Sequence, residues 1–376
     1  MMNLEELRKT LHQHPEVSGK EKQTSVFIVK KLKEIGVTQV HENFSEYSLL
    51  AEIDFNSPGK TILFRAELDA LPIEETNQFT YQSKNKNVSH KCGHDGHMTM
   101  LLGLAEKLIE HRNEFSGKVL LLFQSSEETG KGAKNILKSK ILEKFNIDYA
   151  FSLHNVPGYP LGNIITKPQT FTPSVESVDI ELLGKTSHAG MPWKGINPAS
   201  AIRDLINYFT SIHQPDVTQE NYFLATPIYI QMGEKAYGTS AGKATLSYTL
   251  RTGEHKKFVQ QKKEIIHQIE KTCQRENLNF SLQWKEAFEA NNNDPEAFEL
   301  IRKAAEANQY SFTEKEHFFN WGEDFGAFTQ QYKGAMFGLG SGENTPELHN
   351  PDYDFPDQLL PYGINMFYSL SKKLLQ

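Results

Sequence analysis

Ten consecutive residues, Ser89-His90-Lys91-Cys92-Gly93-His94-Asp95-Gly96-His97-Met98, hold three imidazoles, a thiol and a carboxylate around two glycines. Thiolate, neutral imidazole and carboxylate are the side chains that ligate divalent transition metals. Glycine lets the backbone turn sharply and approach a bound group closely. Metal sites take three or four protein donors per ion. The stretch therefore has more donors than one ion needs, and of His90 and His97 one is expected to support a ligand rather than be one.

Other segments carry matching chemistry. Glu127 and Glu128 are adjacent, just past the apolar run Lys118–Gln124. If one carboxylate binds a metal and its neighbour faces the attacking water, the pair supplies a ligand and a general base. His154 follows the apolar run Ile147–Leu153, and His349 lies beyond Ala335–Leu339. Glu67 and Asp69 follow the compact run Thr61–Ala66. A glycine-bounded loop, Gly184–Pro192, presents His188, a side chain able to donate a hydrogen bond to a developing oxyanion.

These groups need elements to hold them. Met98, Leu101, Leu102, Leu104, Ala105, Leu108 and Ile109 recur at helical spacing, so the metal-type loop opens a buried helix. Residues 4–12 and 21–35 also have helical periodicity, and Lys118–Gln124 is followed by a predicted helix to about Phe145. Val37–His41, Ser48–Phe55, Thr61–Ala66, Lys118–Gln124, Ile147–Leu153 and Ala335–Leu339 read as strands. Short apolar strands alternating with helices imply an α/β fold with a mostly parallel sheet and helices on both faces. In such sheets ligands lie beyond the carboxyl ends of the strands, which is where Glu67/Asp69, Glu127/Glu128, His154 and His349 fall.

From about Pro173 the texture changes. Strand-like Val175–Leu183, helical Asn197–His213, strand-like Thr226–Met232 and Lys243–Arg251, helical Lys256–Glu276 and strand-like Phe280–Glu286 give the order β-α-β-β-α-β, a ferredoxin-like α+β arrangement. The expected division is a catalytic α/β domain of residues 1–173 and 287–376, with an inserted lid and dimerisation domain at 174–286.

A net charge of -7 and the absence of a long Lys/Arg run argue against nucleic acid as the partner. No stretch approaches the roughly 20 apolar residues a membrane span needs. The first residues carry no basic-then-apolar leader, so a cytoplasmic location is expected. Only two cysteines are present, and a Cys92–Cys273 disulfide is not expected in a reducing compartment.

The segments Arg65–Pro72, His90–His97, Glu127-Glu128, Gly184–Pro192 and Leu348–Pro351 resemble, in order and over nearly the whole chain, a metal-dependent amidohydrolase/exopeptidase family. Its members include hippurate hydrolases, auxin-conjugate hydrolases, N-acetyl-diaminopimelate deacetylases, aminoacylases and carboxypeptidase G. The cysteine in the metal loop is similar to the hippurate/auxin-conjugate branch. The resemblance implies two divalent ions per subunit (Zn, Mn, Ni or Co) held by Cys92, His94, Glu128, His154 and His349. It further implies Glu127 as general base, His188 as oxyanion donor, reaching either its own site or a partner's, Asp69 as the residue orienting a ligand, and a lid that often forms a homodimer. The implied reaction is hydrolysis of the amide bond of N-acyl amino acids or small N-acylated peptide-like substrates. A metallo-aminopeptidase or dipeptidase acting on free N-termini and a non-catalytic binding protein of the same fold are the alternatives. The chain departs from the family pattern at Glu67, where the branch has Asp, at Tyr237–Ser240 in the lid, and at Gly322 in Trp321–Phe325, where the family has Ser. Arg251, at the end of a lid strand, is a candidate for binding a substrate carboxylate.

Overall fold

The computed structural model describes residues 2–376, which form two compact units. The first comprises the chain up to Phe171 with Asn291–Phe318 and Glu323–Gln376, and the second comprises Thr172–Ala290 with Phe319–Gly322.

In the first unit four parallel strands lie side by side in the order Lys118–Gln124, Thr61–Glu67, Tyr149–Val156, Gly334–Gly340. Thr61–Glu67, Tyr149–Val156 and Gly334–Gly340 are buried at every residue, and Lys118–Gln124 at all but its first. Both faces are covered, which is why these strands read as apolar runs rather than alternating patterns. Leu49–Asp54 pairs antiparallel outside Lys118–Gln124, and Gln39–His41 pairs outside that. Ile164–Thr166 pairs antiparallel with Gly334–Gly340, and Phe312–Glu314 closes the eight-stranded sheet. These last two strands have three residues each, too few to show a period in the sequence.

The buried helix His94–Glu110 packs its apolar residues into the core with Phe64, Phe151, Phe337 and Phe367. It has no side-chain cap. Gly93 precedes it at φ +93°, a left-handed conformation that turns the chain into the helix. A Cβ at Gly93 would come within 2.8 Å of Asn155 Cγ and Nδ2. Gly93→Ala is therefore expected to cost about 1–2 kcal/mol for the backbone and about 1–3 kcal/mol for the overpacking. Denaturant unfolding of the two proteins would check this.

Three expectations need correction. The helix after Glu128 is shorter, Gly132–Ser139, because Lys140 turns left-handed at φ +61° and a 3-10 turn, Ile141–Lys144, follows. His154 does not follow its strand but lies within it, since pairing with Gly334–Gly340 continues to Val156. His349 lies on a loop rather than directly at a strand end, because the strand stops at Gly340.

The second unit holds a four-stranded antiparallel sheet in the order Leu224–Met232, Lys243–Thr252, Ser174–Leu183, Asn279–Phe288. Helices Ala199–Ile212 and His255–Arg275 supply the α elements of a β-α-β-β-α-β chain order. Here the strands alternate: Val178, Ile180, Leu182, Leu246, Tyr248 and Leu250 meet Leu205, Phe209, Ile265 and Ile269 in one core. The unit extends beyond 174–286 because Ala290 N donates to Ser174 Oγ (2.9 Å) and Gly322 packs closely on Phe288. Cys273 is a buried helical residue of this core, and both cysteines are free thiols.

Candidate metal centre

Among the described residues, every side chain of the candidate donor groups lies in the first unit. Glu67 ends one parallel strand, Ser125–Glu128 leaves the next, and His154 belongs to the third. Cys92 and His94 sit where the buried helix begins. His349, at φ +66°, is tied to this loop by its N–H, which donates to Lys91 O (2.8 Å).

The donors converge in overlapping groups. Cys92, His94 and His154 bring one donor atom each to within 4.8 Å of one another; so do Cys92, Glu128 and His349, and so do His94, Glu127 and Glu128. Cys92 Sγ lies 3.4 Å from His154 Nε2, and Glu128 Oε1 lies 3.6 Å from His349 Nε2 and 4.0 Å from His94 Nε2. His94 Nδ1 donates to Asp69 O (2.8 Å), which leaves Nε2 aimed at the group. Asp69 links two of these residues: besides holding His94, its Oδ2 accepts from Glu128 N (3.0 Å) and from Ser18 Oγ (2.7 Å).

The set fits a divalent cation. His94 Nε2 and Glu128 Oε1 are buried without a hydrogen-bond partner among the described residues, an arrangement that costs free energy unless a further group satisfies them. The electrostatics agree. Burial, then the carboxylates of Glu128 and Glu127, push the Cys92 thiol well above its usual range. Burial, followed by Asp69, raises Glu128 to about 7 against the opposing pull of His94. His154 is held neutral by burial and by His97. Negative charge is thus crowded into a dry site, and a bound cation would reverse that local balance.

Of the two histidines that sequence leaves open, His97 is engaged: Nδ1 donates to Glu67 Oε2 (2.7 Å), and Nε2 lies 2.6 Å from Asn155 Oδ1. His90 belongs to none of the donor groups and is buried. Glu67, the departure from the branch pattern, is buried between Arg65 and His97, and despite burial the Arg65 guanidinium and the contact with His97 hold its carboxyl well below the usual range.

Several residues of the site escape a sequence reading. Arg65, completely buried, pairs with Glu67, Glu323 (3.0 Å) and Asp324 (2.7 Å), while Gln124 accepts from Arg65 Nε and donates to Asp324. Asp324 N reaches Glu127 Oε1 (3.4 Å), and Glu127, Glu323 and Asp324 form a further carboxylate group. The Glu-Asp pair in Trp321–Phe325 is the only sequence signal of this cluster. Burial raises the Glu127 carboxyl well above its usual range, and the charges of Glu323, Glu128 and Asp324 add to it while Arg65 opposes.

His188 and Arg251 belong to the second unit, and no donor group includes either. His188 is exposed on a two-residue strand that pairs with Thr239–Ser240, so the atypical Tyr237–Ser240 segment lies beside it. Gly190 N donates to His188 Nδ1 (3.0 Å). With Nδ1 an acceptor, Nε2 carries the ring proton and is free to donate it. Arg251 Nη1 donates to Asn320 O (2.8 Å), which makes it a contact of its own unit.

Known proteins bear on this arrangement. A family model described as "Peptidase family M20/M25/M40" matches residues 63–373. The hippurate hydrolase of Campylobacter jejuni is 32% identical over 99% of this chain and 96% of its own length. The N-acetyl-L-cysteine deacetylase of Bacillus subtilis is 30% identical over 98% of this chain and 87% of its own. A solved Bacillus subtilis structure described as a dinuclear metal binding peptidase from the M20 family superposes with a TM-score of 0.85 at 25% identity, covering 99% of this chain and 97% of that one.

Proposed function

The chain belongs to peptidase family M20/M25/M40, and from that premise we propose that it is a metal-dependent amidohydrolase acting on N-acyl amino acids or small N-acylated peptide-like compounds. The observation that carries the reading is the convergence of Cys92, His94, Glu128, His154 and His349, with buried unpartnered donor atoms, beside a Glu127 whose carboxyl is raised. Relatives that share nearly the full length of this chain are named for hydrolysis of N-acyl amino acids.

Two divalent ions would be held by these five residues, and Cys92 is common to two of the donor groups. When bound, such ions polarise an amide carbonyl and lower the pKa of a water. Asp69 orients His94 and fixes the backbone of Glu128. Glu127 takes a proton from the attacking water and delivers it to the departing amine nitrogen, which also receives the remaining proton of that water, so that amide and water become carboxylate and ammonium. His188 Nε2 donates to the oxyanion of the tetrahedral species, its own or a partner subunit's, which makes the second unit a lid.

The second unit is also the proposed dimer interface. Its edge strand Leu224–Met232 exposes Ile228 (62%), Ile230 (42%) and Met232 (41%), and an unpaired apolar edge favours pairing with another strand. Arg251 is the candidate partner for a substrate carboxylate. Zinc and manganese are the ions to test first. No described helix is long and apolar enough to cross a membrane. A cytoplasmic location, with no nucleic-acid or membrane partner, is part of the proposal and is supported by the two free cysteines and the negative charge.

The test is metal analysis of the purified protein with a screen of N-acetyl and N-benzoyl amino acids against free dipeptides, with and without chelator. Chelator-sensitive cleavage of the N-acyl compounds is expected. Cleavage of the free dipeptides alone would move the assignment to an aminopeptidase.

Cys92 gives a sharper check on the site. A metal deprotonates a coordinating thiol outright, so the loaded protein should be protected from thiol reagents that react with the metal-stripped one. Cys92→Ser should lose metal on dialysis; full retention with full activity would remove Cys92 from the ligand set.

A further inference from the structure

We propose that His12, on the first helix of the chain, is a positioning residue that ties together the two flanks of the Cys92–His94 pair. The proposal rests on the reading of Cys92 and His94 as metal ligands.

Four segments far apart in sequence meet behind the metal loop, all within the first unit. Helix Leu4–Gln13 contributes Arg8 and His12, both fully buried. His12 Nδ1 lies 2.8 Å from Asp95 Oδ2, and His12 Nε2 lies 2.9 Å from Glu75 Oε1. Asp95 is the residue after His94. Glu75 also pairs with Lys91, the residue before Cys92. The chain of contacts Lys91–Glu75–His12–Asp95 therefore spans the loop that carries both proposed ligands.

Carboxylates only accept hydrogen bonds, so an imidazole that bonds two of them through its two nitrogens must carry both protons. His12 is thus an imidazolium, and its environment supports that charge: burial opposes it, but hydrogen bonds to Asp95 and Glu75 prevail and raise it to about 9. Arg8 adds a second cation, with Nη1 on Asp354 (2.8 Å) and at 3.4 Å from Asp95, and Nε on Asp357 (2.8 Å). Lys91 Nζ also donates to Tyr353 O (2.8 Å) and Asn77 Oδ1 (2.9 Å). Each buried charge faces a partner, and removing one leaves another buried and unpaired. No described contact joins His12 to a proposed metal ligand or to Glu127. Its action on the site must run through Asp95 and Lys91.

Groups that hold metal ligands in place from outside the coordination sphere typically contribute about 10–100-fold in metal affinity. The test titrates cobalt(II) into the metal-stripped full-length protein and into His12→Ala and Glu75→Gln. It reads the dissociation constant, the thiolate-to-cobalt charge-transfer absorption and the melting temperature without metal. His12→Ala is expected to weaken cobalt binding by about 10–100-fold and to alter the charge-transfer band. Glu75→Gln, which unties the Lys91 flank and keeps the volume, is expected to do the same to a smaller degree. If both variants bind cobalt within twofold of the unsubstituted protein with the same band, and only the melting temperature falls, the network serves the fold alone and the proposal is overturned. Should His12→Ala fail to fold, Glu75→Gln decides by the same criterion. A charge-transfer band that survives Cys92→Ser would instead overturn the ligand assignment on which the proposal stands.

Discussion

Glu127→Gln should keep its metal and its fold while losing about 100- to 10,000-fold of its turnover, the usual contribution of a positioned acid/base group. The two neighbouring glutamates differ in what surrounds them. Glu128 lies against His94 and His349, and its backbone N–H is fixed by Asp69. Glu127 keeps an oxygen within 4.8 Å of His94 and Glu128 but also meets Asp324 N and the carboxylates of Glu323 and Asp324. Just before the two glutamates Ser126 adopts φ +59°, a left-handed turn uncommon for a non-glycine residue, with its N–H donating to Glu21 (2.8 Å) and its Oγ to Glu46 (2.6 Å). On these surroundings Glu128 is assigned to the ions and Glu127 to the proton. Glu128→Gln should accordingly lose metal, and its activity should return in part when metal is supplied in excess. Metal content and rate measured on both variants separate the two roles. The reverse pattern would mean that Glu128 is the base.

The contrast between what sequence shows and what it hides follows from the range of the interactions. Buried parallel strands need apolar residues on both faces, so Thr61–Glu67 and Lys118–Gln124 announce themselves as compact runs, and the donors just beyond them can be placed on one rim. The alternating burial of Ser174–Leu183 and Lys243–Thr252 likewise follows the two-residue period of a sheet with one covered face. Strand ends set by pairing are invisible: nothing local shows that Tyr149–Val156 runs past His154, because Gly334–Gly340 supplies the partner. Lys140 ends its helix in a left-handed conformation without the glycine that would signal it. The deepest gap concerns charge. Arg8 and His12 stand four residues apart on an amphipathic helix and would be assigned to its solvated face. Their partners Asp95, Glu75, Asp354 and Asp357 come from distant parts of the chain. Arg65 is hidden in the same way, a charged residue in a buried strand that is satisfied by Glu323 and Asp324 from the far end of the chain.

His188→Ala should lower kcat by about 100- to 1,000-fold, the effect of removing one donor from a preorganised oxyanion site, with metal content and KM changed far less. The expectation follows from how the loop prepares the ring. Pairing of Ser187–His188 with Thr239–Ser240 and the bond from Ala189 N to Gly238 O (2.9 Å) fix the backbone. Gly190 N then occupies Nδ1, so the proton stands on the outward nitrogen before substrate arrives. A donor set in this way does not reorganise during the reaction, and it gains strength only where charge develops on the carbonyl oxygen. Its loss therefore falls on kcat rather than on ground-state binding. His188→Gln retains an N–H and should recover part of the rate, whereas a purely structural role for the ring would leave Gln and Ala alike. Disturbing the support without touching the ring, by Gly190→Pro, removes the N–H that sets the tautomer and should also depress kcat. If His188→Ala with full metal turned over N-acyl amino acids within threefold of the unsubstituted protein, the second unit would have no part in stabilising the oxyanion, and that stabilisation would have to come from the first unit and its ions alone.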